Sequence, residues 1–276
     1  MKRSQSERDE VVSSTVEDYL KAFLRLEDMN EKASTSTVAR HLSVADASVT
    51  DMLRKLQKNG LLEYKPYYGA TLTTEGRKLA LRILRRHRLI ELFLHKVMGY
   101  GWEQVHDEAE KLEHVVSDLF VERIDAYLGY PDKDPHGEVI PDAKGFRNEE
   151  LDVCLLRVEP GEYVVRKVTN DQPEFLAYLQ KQSLTPGASF RLLEKAPFQG
   201  PLKLVLSGRK APQYLGAEAA KSIHVSPVGP RGAKRSLRSK RPEQTIDFPG
   251  APVRPTGAKL SSRKQKPLRR STRRPQ

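Results

Sequence analysis

The sequence predicts a mainly α chain with a small β component: an N-terminal winged helix-turn-helix, long helices bearing histidines and carboxylates, short β-rich runs and a disordered basic tail. Three observations predict it. Apolar residues recur at helical intervals between residues 16 and 119, and the run LLEYKPYYGATLTTEG (61–76) reads as two short strands about a turn. Residues 227–276 combine eight prolines with only scattered large apolar side chains, too few to offset the entropy of ordering.

The first helix is expected over about 15–28. Ser14-Thr15-Val16-Glu17 has capping-box spacing, and Val16, Tyr19, Leu20, Phe23 and Leu24 follow as one apolar face. Two shorter helices are expected at about 36–42 and 47–59, separated by Ser43-Val44-Ala45-Asp46 with Asp46 as N-cap. A short helix, a tight turn and a longer helix make the geometry that enters the DNA major groove, and the hairpin after Gly60 is its wing. Ser48, Thr50 and Asp51 would then face base edges, with Arg54 and Lys55 nearer the phosphates and Lys65, Tyr67 and Tyr68 reaching the backbone from the wing. The alternative for each is a solvated surface, and for Asp51 that alternative is favoured, because a carboxylate repels phosphate.

Two long helices come next, over about 75–97 and 102–128. Leu79, Ile83, Ile90, Leu94 and Val97 stripe the first; Val105, Ala109, Leu112, Val116 and Leu119 stripe the second. At about 100 degrees per residue, His106, Glu110, Glu113 and His114 lie beside the second stripe, while His87 and Glu91 flank the first one turn apart. Taken singly, such residues are more often satisfied core histidines and solvated glutamates. Together, three imidazoles and three carboxylates along one seam are costly to bury without a cation. Nitrogen and carboxylate donors without thiolate suit Mn(II) or Fe(II) better than structural zinc. A metallohydrolase or oxygenase could use the same donors, but no nucleophile elbow, phosphate loop or HExxH motif accompanies them, and no small organic substrate is expected.

Composition narrows the class further. The 276 residues have room for one or two domains, and the net charge of +12 sits in the tail, where 15 Lys/Arg face only Glu243 and Asp247 and leave about −1 for residues 1–226. The tail reads as a sequence-independent phosphate-binding arm or, alternatively, a solubilising extension. The one cysteine, Cys154, excludes an intrachain disulfide and a multi-thiolate zinc site, and its apolar neighbours suggest a core position. No stretch approaches the roughly 18 apolar residues of a membrane span. With no apolar run behind the charged start, a cytoplasmic protein that avoids membranes is expected.

The segments VEDYLKAFLRLE (16–27), VTDMLRKLQKNGLL (49–62), LTTEGRKLA (72–80), RRHRLIELFL (85–94), VHDEAEKLEHVVSD (105–118) and PHGEVIP (135–141) resemble, in order, the diphtheria-toxin-repressor family of metal-dependent regulators, particularly its manganese transport regulator branch. The resemblance implies four parts: a winged helix-turn-helix (1–76), a helical metal-binding and dimerisation domain (77–148), an SH3-like, FeoA-like β-barrel (149–226) and the basic tail (227–276). It implies a primary metal site of Asp18, His87, Glu110, Glu113 and His114. The iron-sensing branch has cysteine at the position of Glu110 and methionine at that of Asp18, so the oxygens here shift the expectation from Fe(II), the alternative, toward Mn(II). Lys21 stands where the manganese branch can carry a second-ion glutamate, which argues against that binuclear arrangement. Glu91 and His106 match an ancillary site of iron-type relatives, to which Asp171, Gln172 and Glu174 are candidate contributors; their alternative is favourable negative charge at a helix N-terminus. The implied function is a homodimeric repressor of metal-uptake genes that binds double-stranded DNA at a palindromic operator.

Overall fold

The computed structural model describes residues 13–65, 68–146 and 152–228. The expectations for Tyr67 and for the tail beyond Val228 lie outside the described residues. From the N-terminus, α1 (Ser14–Asp28), α2 (Thr35–Leu42) and α3 (Asp46–Lys58) precede the hairpin β1 (Leu62–Lys65) and β2 (Gly69–Leu72). Leu62 pairs with Leu72 and Lys65 with Gly69, antiparallel, which makes the expected wing. Val16, Tyr19, Leu20, Phe23 and Leu24 of α1 are all buried, packed with Val38, Val49, Leu53 and Leu56.

Two start signals act differently from their sequence reading. Ser13, not Ser14, is the N-cap of α1 and makes no side-chain cap bond. The capping box does not form because Glu17 is engaged elsewhere, by Arg86 at 3.3 Å and His114 at 2.7 Å. Ala45 caps α3 without a side-chain bond, so Asp46 sits inside the first turn, where its charge meets the positive end of the helix.

α4 (Thr74–Lys96) is the longest helix and belongs to two cores. Ala80, Leu81 and Ile83 pack into the N-terminal core, whereas Leu89, Ile90, Leu92 and Leu94 pack with Val105, Ala109, Ile124 and Ile140. The helix expected over 102–128 is two: α5 (Val105–Leu112) and α6 (Asp118–Tyr127). Ser117 adopts extended backbone and accepts a hydrogen bond from the Phe120 N–H, so an N-cap serine outcompetes helix continuation. The last of the apolar stripe, Leu119, is consequently exposed.

The C-terminal unit is a six-stranded antiparallel sheet ordered β3-β8-β4-β5-β6-β7. Its strands are β3 (Val153–Cys154), β4 (Gly161–Val168), β5 (Ser189–Lys195), β6 (Leu202–Leu206), β7 (Gln213–Leu215) and β8 (Ile223–Pro227); α7 (Pro173–Gln182) and α8 (Ala217–Lys221) complete this SH3-like unit. The run LDVCLLRV yields only two strand residues before a 3-10 turn at Leu155–Arg157, and β7, α8 and β8 had no sequence signal. Cys154 is half-buried rather than core, its thiol facing the Ala220 and Lys221 carbonyls. Trp102, just before α5, is buried in the core of this unit and joins it to the helical one. Among the described residues, no helix is long and apolar enough to cross a membrane.

The start of α4 is locked against the wing. Thr73 caps it by accepting from the Gly76 N–H at 3.0 Å, its hydroxyl donates to the Gly60 carbonyl at 2.8 Å, and its own N–H donates to the Leu61 carbonyl at 3.1 Å. A Cβ on Gly76 would stand 1.8 Å from that Leu61 oxygen, a backbone atom with nowhere to go. Gly76→Ala should therefore lower unfolding stability by about 2 kcal/mol or more despite the better helix propensity of alanine. Urea denaturation followed by circular dichroism checks this; an unchanged or raised midpoint would mean the wing can shift at no cost.

Candidate metal centre

Among the described residues, three groups of His, Asp and Glu bring one donor atom each to within 4.8 Å of one another: Asp18, Glu110, Glu113 and His114; His87, His106 and Glu110; and Glu91, Asp134 and His136. They lie along one seam formed by α1, α4, α5 with the turn after it, and the 130–140 loop.

The first group gathers around the end of α5. Glu113 is its C-cap, still in helical backbone, and His114 follows in the turn with its imidazole facing α1. His114 Nε2 is 3.1 Å from Asp18 Oδ1 and 3.5 Å from Glu113 Oε1. His114 Nδ1–H donates to Glu17 Oε2 at 2.7 Å, which leaves Nε2 facing Asp18. Asp18 Oδ1 is buried and makes no hydrogen bond. Burial pushes the Asp18 pKa above the ordinary aspartate value, with Glu110 and Glu113 adding to the rise against the opposing pull of His114 and Lys21. An unsatisfied buried carboxylate oxygen among three further donors is the feature a divalent ion would complete.

Lys21 reaches into the same group. Its ammonium donates to Glu110 Oε1 at 2.7 Å and also to Glu113 Oε1. Burial disfavours that charge, but the Glu113 and Glu110 carboxylates outweigh it and hold the pKa above the usual lysine value. Burial likewise opposes ionisation of Glu113, whose pKa is nevertheless lowered by His87 and Lys21.

The second and third groups meet at Glu91, which is 2% exposed. Its Oε1 lies 3.0 Å from His87 Nε2, 3.3 Å from His106 Nδ1 and 3.9 Å from His136 Nδ1. Despite burial, these imidazoles hold the Glu91 pKa well below its usual range. His87 is pushed up to about 10: desolvation works against the imidazolium, and Glu91 and Glu113 more than compensate. His136 Nε2–H donates to the Trp102 carbonyl at 2.8 Å, which leaves Nδ1 facing Glu91. Asp134 Oδ1 accepts from the His136 and Glu138 backbone N–H groups at 2.8 and 2.9 Å, and Oδ2 lies 3.4 Å from Arg88. Burial and the nearby Glu91 charge raise the Asp134 pKa to about 7.

Of the residues expected in one primary site, Asp18, Glu110, Glu113 and His114 come together, while His87 joins His106 and the third carboxylate, Glu110, in a neighbouring group. His87 remains attached to the first through Glu113, 2.7 Å from its Nδ1. Of the ancillary candidates, Glu91 and His106 face each other, and Asp171 Oδ2 comes within 3.9 Å of His106 Nε2. Gln172 is the N-cap of α7, and Glu174, in its first turn, belongs to no group of His, Cys, Asp and Glu donors among the described residues. Asp134, His136 and Glu17 were missed as site residues. The first two sit in a loop without periodicity, inside the quoted PHGEVIP segment or one residue before it, and Glu17 was absorbed into the capping-box reading.

On the N-terminal unit, Ser48, Asp51, Arg54 and Lys55 of α3 are exposed, Thr50 is half-buried with its hydroxyl on the Asp46 carbonyl, and Arg54 pairs with Asp51 at 3.2 Å. Lys65 and Tyr68 are exposed on the wing.

Comparison with known proteins agrees with this organisation. The chain matches the family models for the iron dependent repressor N-terminal DNA binding domain over residues 11–70, the iron dependent repressor metal binding and dimerisation domain over 73–142, and the FeoA domain over 153–227. It is 34% identical over 227 residues to the iron-dependent repressor IdeR of Mycobacterium leprae, covering 78% of this chain and 97% of that one. It is 33% identical over 124 residues to the transcriptional regulator MntR of Bacillus subtilis, covering 45% of this chain and 87% of that one. A solved structure of a manganese-dependent transcriptional repressor in complex with manganese matches with a TM-score of 0.72 at 35% identity, over 77% of this chain and 99% of that one.

Among the described residues Glu91 is the one carboxylate facing three imidazoles, so its removal tests how the seam is neutralised. Glu91→Ala should destabilise the metal-free protein by about 3–5 kcal/mol, the cost of leaving buried positive charge without its partner. Thermal and urea unfolding in chelator check it; a loss below about 1 kcal/mol would mean that the histidines shed their protons without penalty.

Proposed function

The chain belongs to the iron-dependent repressor family of metal-dependent transcriptional regulators, and on that premise we propose that it is a Mn(II)-responsive repressor of metal-uptake genes, acting in the cytoplasm as a homodimer on a palindromic operator. The observation that carries the metal reading is Asp18 Oδ1: buried, without a hydrogen bond, and grouped with Glu110, Glu113 and His114 from a different part of the chain. These donors are three carboxylates and one imidazole, a hard set that suits Mn(II). Glu91, Asp134 and His136, with His87, His106 and Asp171 alongside, are a second candidate location.

When bound, a divalent ion supplies the positive charge that the carboxylates lack. Asp18 then ties α1 to the end of α5, and because α1 is packed in the N-terminal core, the tie extends to α3. Ser48, Thr50, Arg54 and Lys55 of α3, with Lys65 and Tyr68 of the wing and Tyr67 next to Tyr68 in sequence, are the proposed DNA contacts, Asp51 serving to orient Arg54. Val115, Leu119, Phe120 and Tyr127 leave an exposed apolar surface on and before α6, which supports homodimer formation there. Two α3 helices in a symmetric dimer would address half-sites about one DNA turn apart.

An Fe(II)-dependent regulator of the same fold is the second reading, supported by the full-length similarity to the mycobacterial iron-dependent repressor. The hydrolase alternative shares only the donor types and runs against membership of a family of transcriptional regulators.

Fluorescence anisotropy on an operator duplex selected from random DNA by the Mn(II)-loaded protein tests the proposal. Mn(II) should tighten binding by roughly 5–150-fold over chelator, a usual coupling range, with Fe(II) and Zn(II) as comparisons. Asp18→Ala should remove the stimulation and leave a folded dimer. Full Mn(II) stimulation of Asp18→Ala would take Asp18 out of the mechanism, and a stronger response to Fe(II) would favour the second reading.

A further inference from the structure

α1 delivers two cations, one helical turn apart, to the carboxylates of the proposed metal sites. Lys21 is hydrogen-bonded to Glu110 and Glu113, its side chain 15% exposed and that of Glu113 fully withdrawn from water. Arg25 is 2.9 Å from Asp171 Oδ2, the same oxygen that lies 3.9 Å from His106. The helix that supplies the donor Asp18 therefore also supplies a counter-charge to the carboxylates with which Asp18 is grouped.

We propose that Lys21, with Arg25 in support, is a tethered competitor of the metal: its ammonium holds Glu110 and Glu113 in the metal-free protein and must give them up when an ion binds. This rests on the metal-site reading above. Asp18, Glu110 and Glu113 form a cluster of carboxylates whose mutual repulsion would splay the site if nothing neutralised it. An ammonium on a four-carbon stem is suited to the task, because it supplies a mobile point charge that can swing to solvent without moving the backbone. The arrangement has two consequences. The empty site stays assembled, with α1 held to the end of α5 through Lys21, a tie that a bound ion replaces with one through Asp18. Filling it is an exchange of one cation for another, so the metal concentration at which it fills is higher than the donor set alone would give. Arg25 stands in the same relation to Asp171, at a more exposed position where the effect is weaker.

The test is a Mn(II) titration of the full chain against a fluorescent chelator, comparing the wild type with Lys21→Met, Lys21→Gln, Lys21→Arg and Arg25→Met, together with melting curves in chelator and in Mn(II). Lys21→Met and Lys21→Gln should bind the first ion at least about tenfold tighter, the scale on which an adjacent charge moves such an equilibrium. Both should melt lower than wild type in chelator but not in Mn(II), which a merely structural lysine would not do. Lys21→Arg, which keeps the charge, should stay near wild-type affinity, and Arg25→Met should leave the first ion unchanged. If either neutral variant is unfolded in chelator, recovery of its far-ultraviolet circular dichroism with added Mn(II) reports the affinity instead. A wild type that binds Mn(II) with neutral variants that bind it no tighter overturns the competitor. A wild type and variants that all fail to bind overturn the metal site itself, a different outcome.

Discussion

Glu113 and Glu91 are carboxylates with almost no access to water, and both draw partners from other elements. Glu113 draws Lys21 from α1 and His87 from α4; Glu91 draws His87 from its own helix, His106 from α5 and His136 from the 130–140 loop. An unpaired charge in such a place costs several kcal/mol, so the elements that carry the partners have to come together. This requirement, rather than apolar packing alone, fixes how α1, α4, α5 and the loop meet. Apolar burial is non-directional, whereas an ion pair at about 3 Å sets both a distance and a direction.

α4 is the member on which these demands converge. One end is sealed into the N-terminal core through Ala80 and Ile83, the other into the helical core through Leu89 and Ile90. Between and beside these, Arg85, Arg86 and Arg88 face Asp125, Glu17 and Asp134, three acids on three different segments. Arg86 also donates to the Glu113 carbonyl at 2.9 Å, satisfying a backbone oxygen that the end of α5 would otherwise leave open. One helix bearing apolar stripes and a run of arginines thus ties the DNA-binding unit to the helices of the proposed sensor.

The parts of this arrangement that are periodic in sequence were legible there, and the parts that depend on a break in periodicity were not. The apolar face of α1, the α2-turn-α3 geometry, the wing and the residues His87 and Glu91 one turn apart all follow from regular spacing. His106, Glu110, Glu113 and His114 were legible as a set because all four lie in α5 or directly after it, ahead of the break at Ser117. His114 also groups with Asp18, a residue that periodicity had left on the polar side and that only family resemblance had marked. Asp134 and His136 carry no periodic signal; their position comes from backbone hydrogen bonds in a loop. In the C-terminal unit the long alternating strands β4, β5 and β6 were visible, while the three-residue β7 and the five-residue α8 are too short for any pattern to register.

The polar face of α1 holds the link between the two proposed activities. Glu17, Asp18, Lys21 and Arg25 recur at helical spacing and meet, in order, His114 with Arg86, His114 again, the Glu110–Glu113 pair, and Asp171. The opposite face is buried in the core that positions α3. Charge-assisted hydrogen bonds are worth about 1.5–3 kcal/mol each, so exchanging even one or two of them shifts an equilibrium by more than thermal energy. The buried apolar face cannot slide independently, because its side chains interdigitate with α2 and α3. A change of charge at the seam is therefore felt as a change in where α1 is held, and α1 moves with the DNA-binding unit or not at all. An ion bound far from α1 would lack this purchase, since a ligand biases only those states with which it interacts differently.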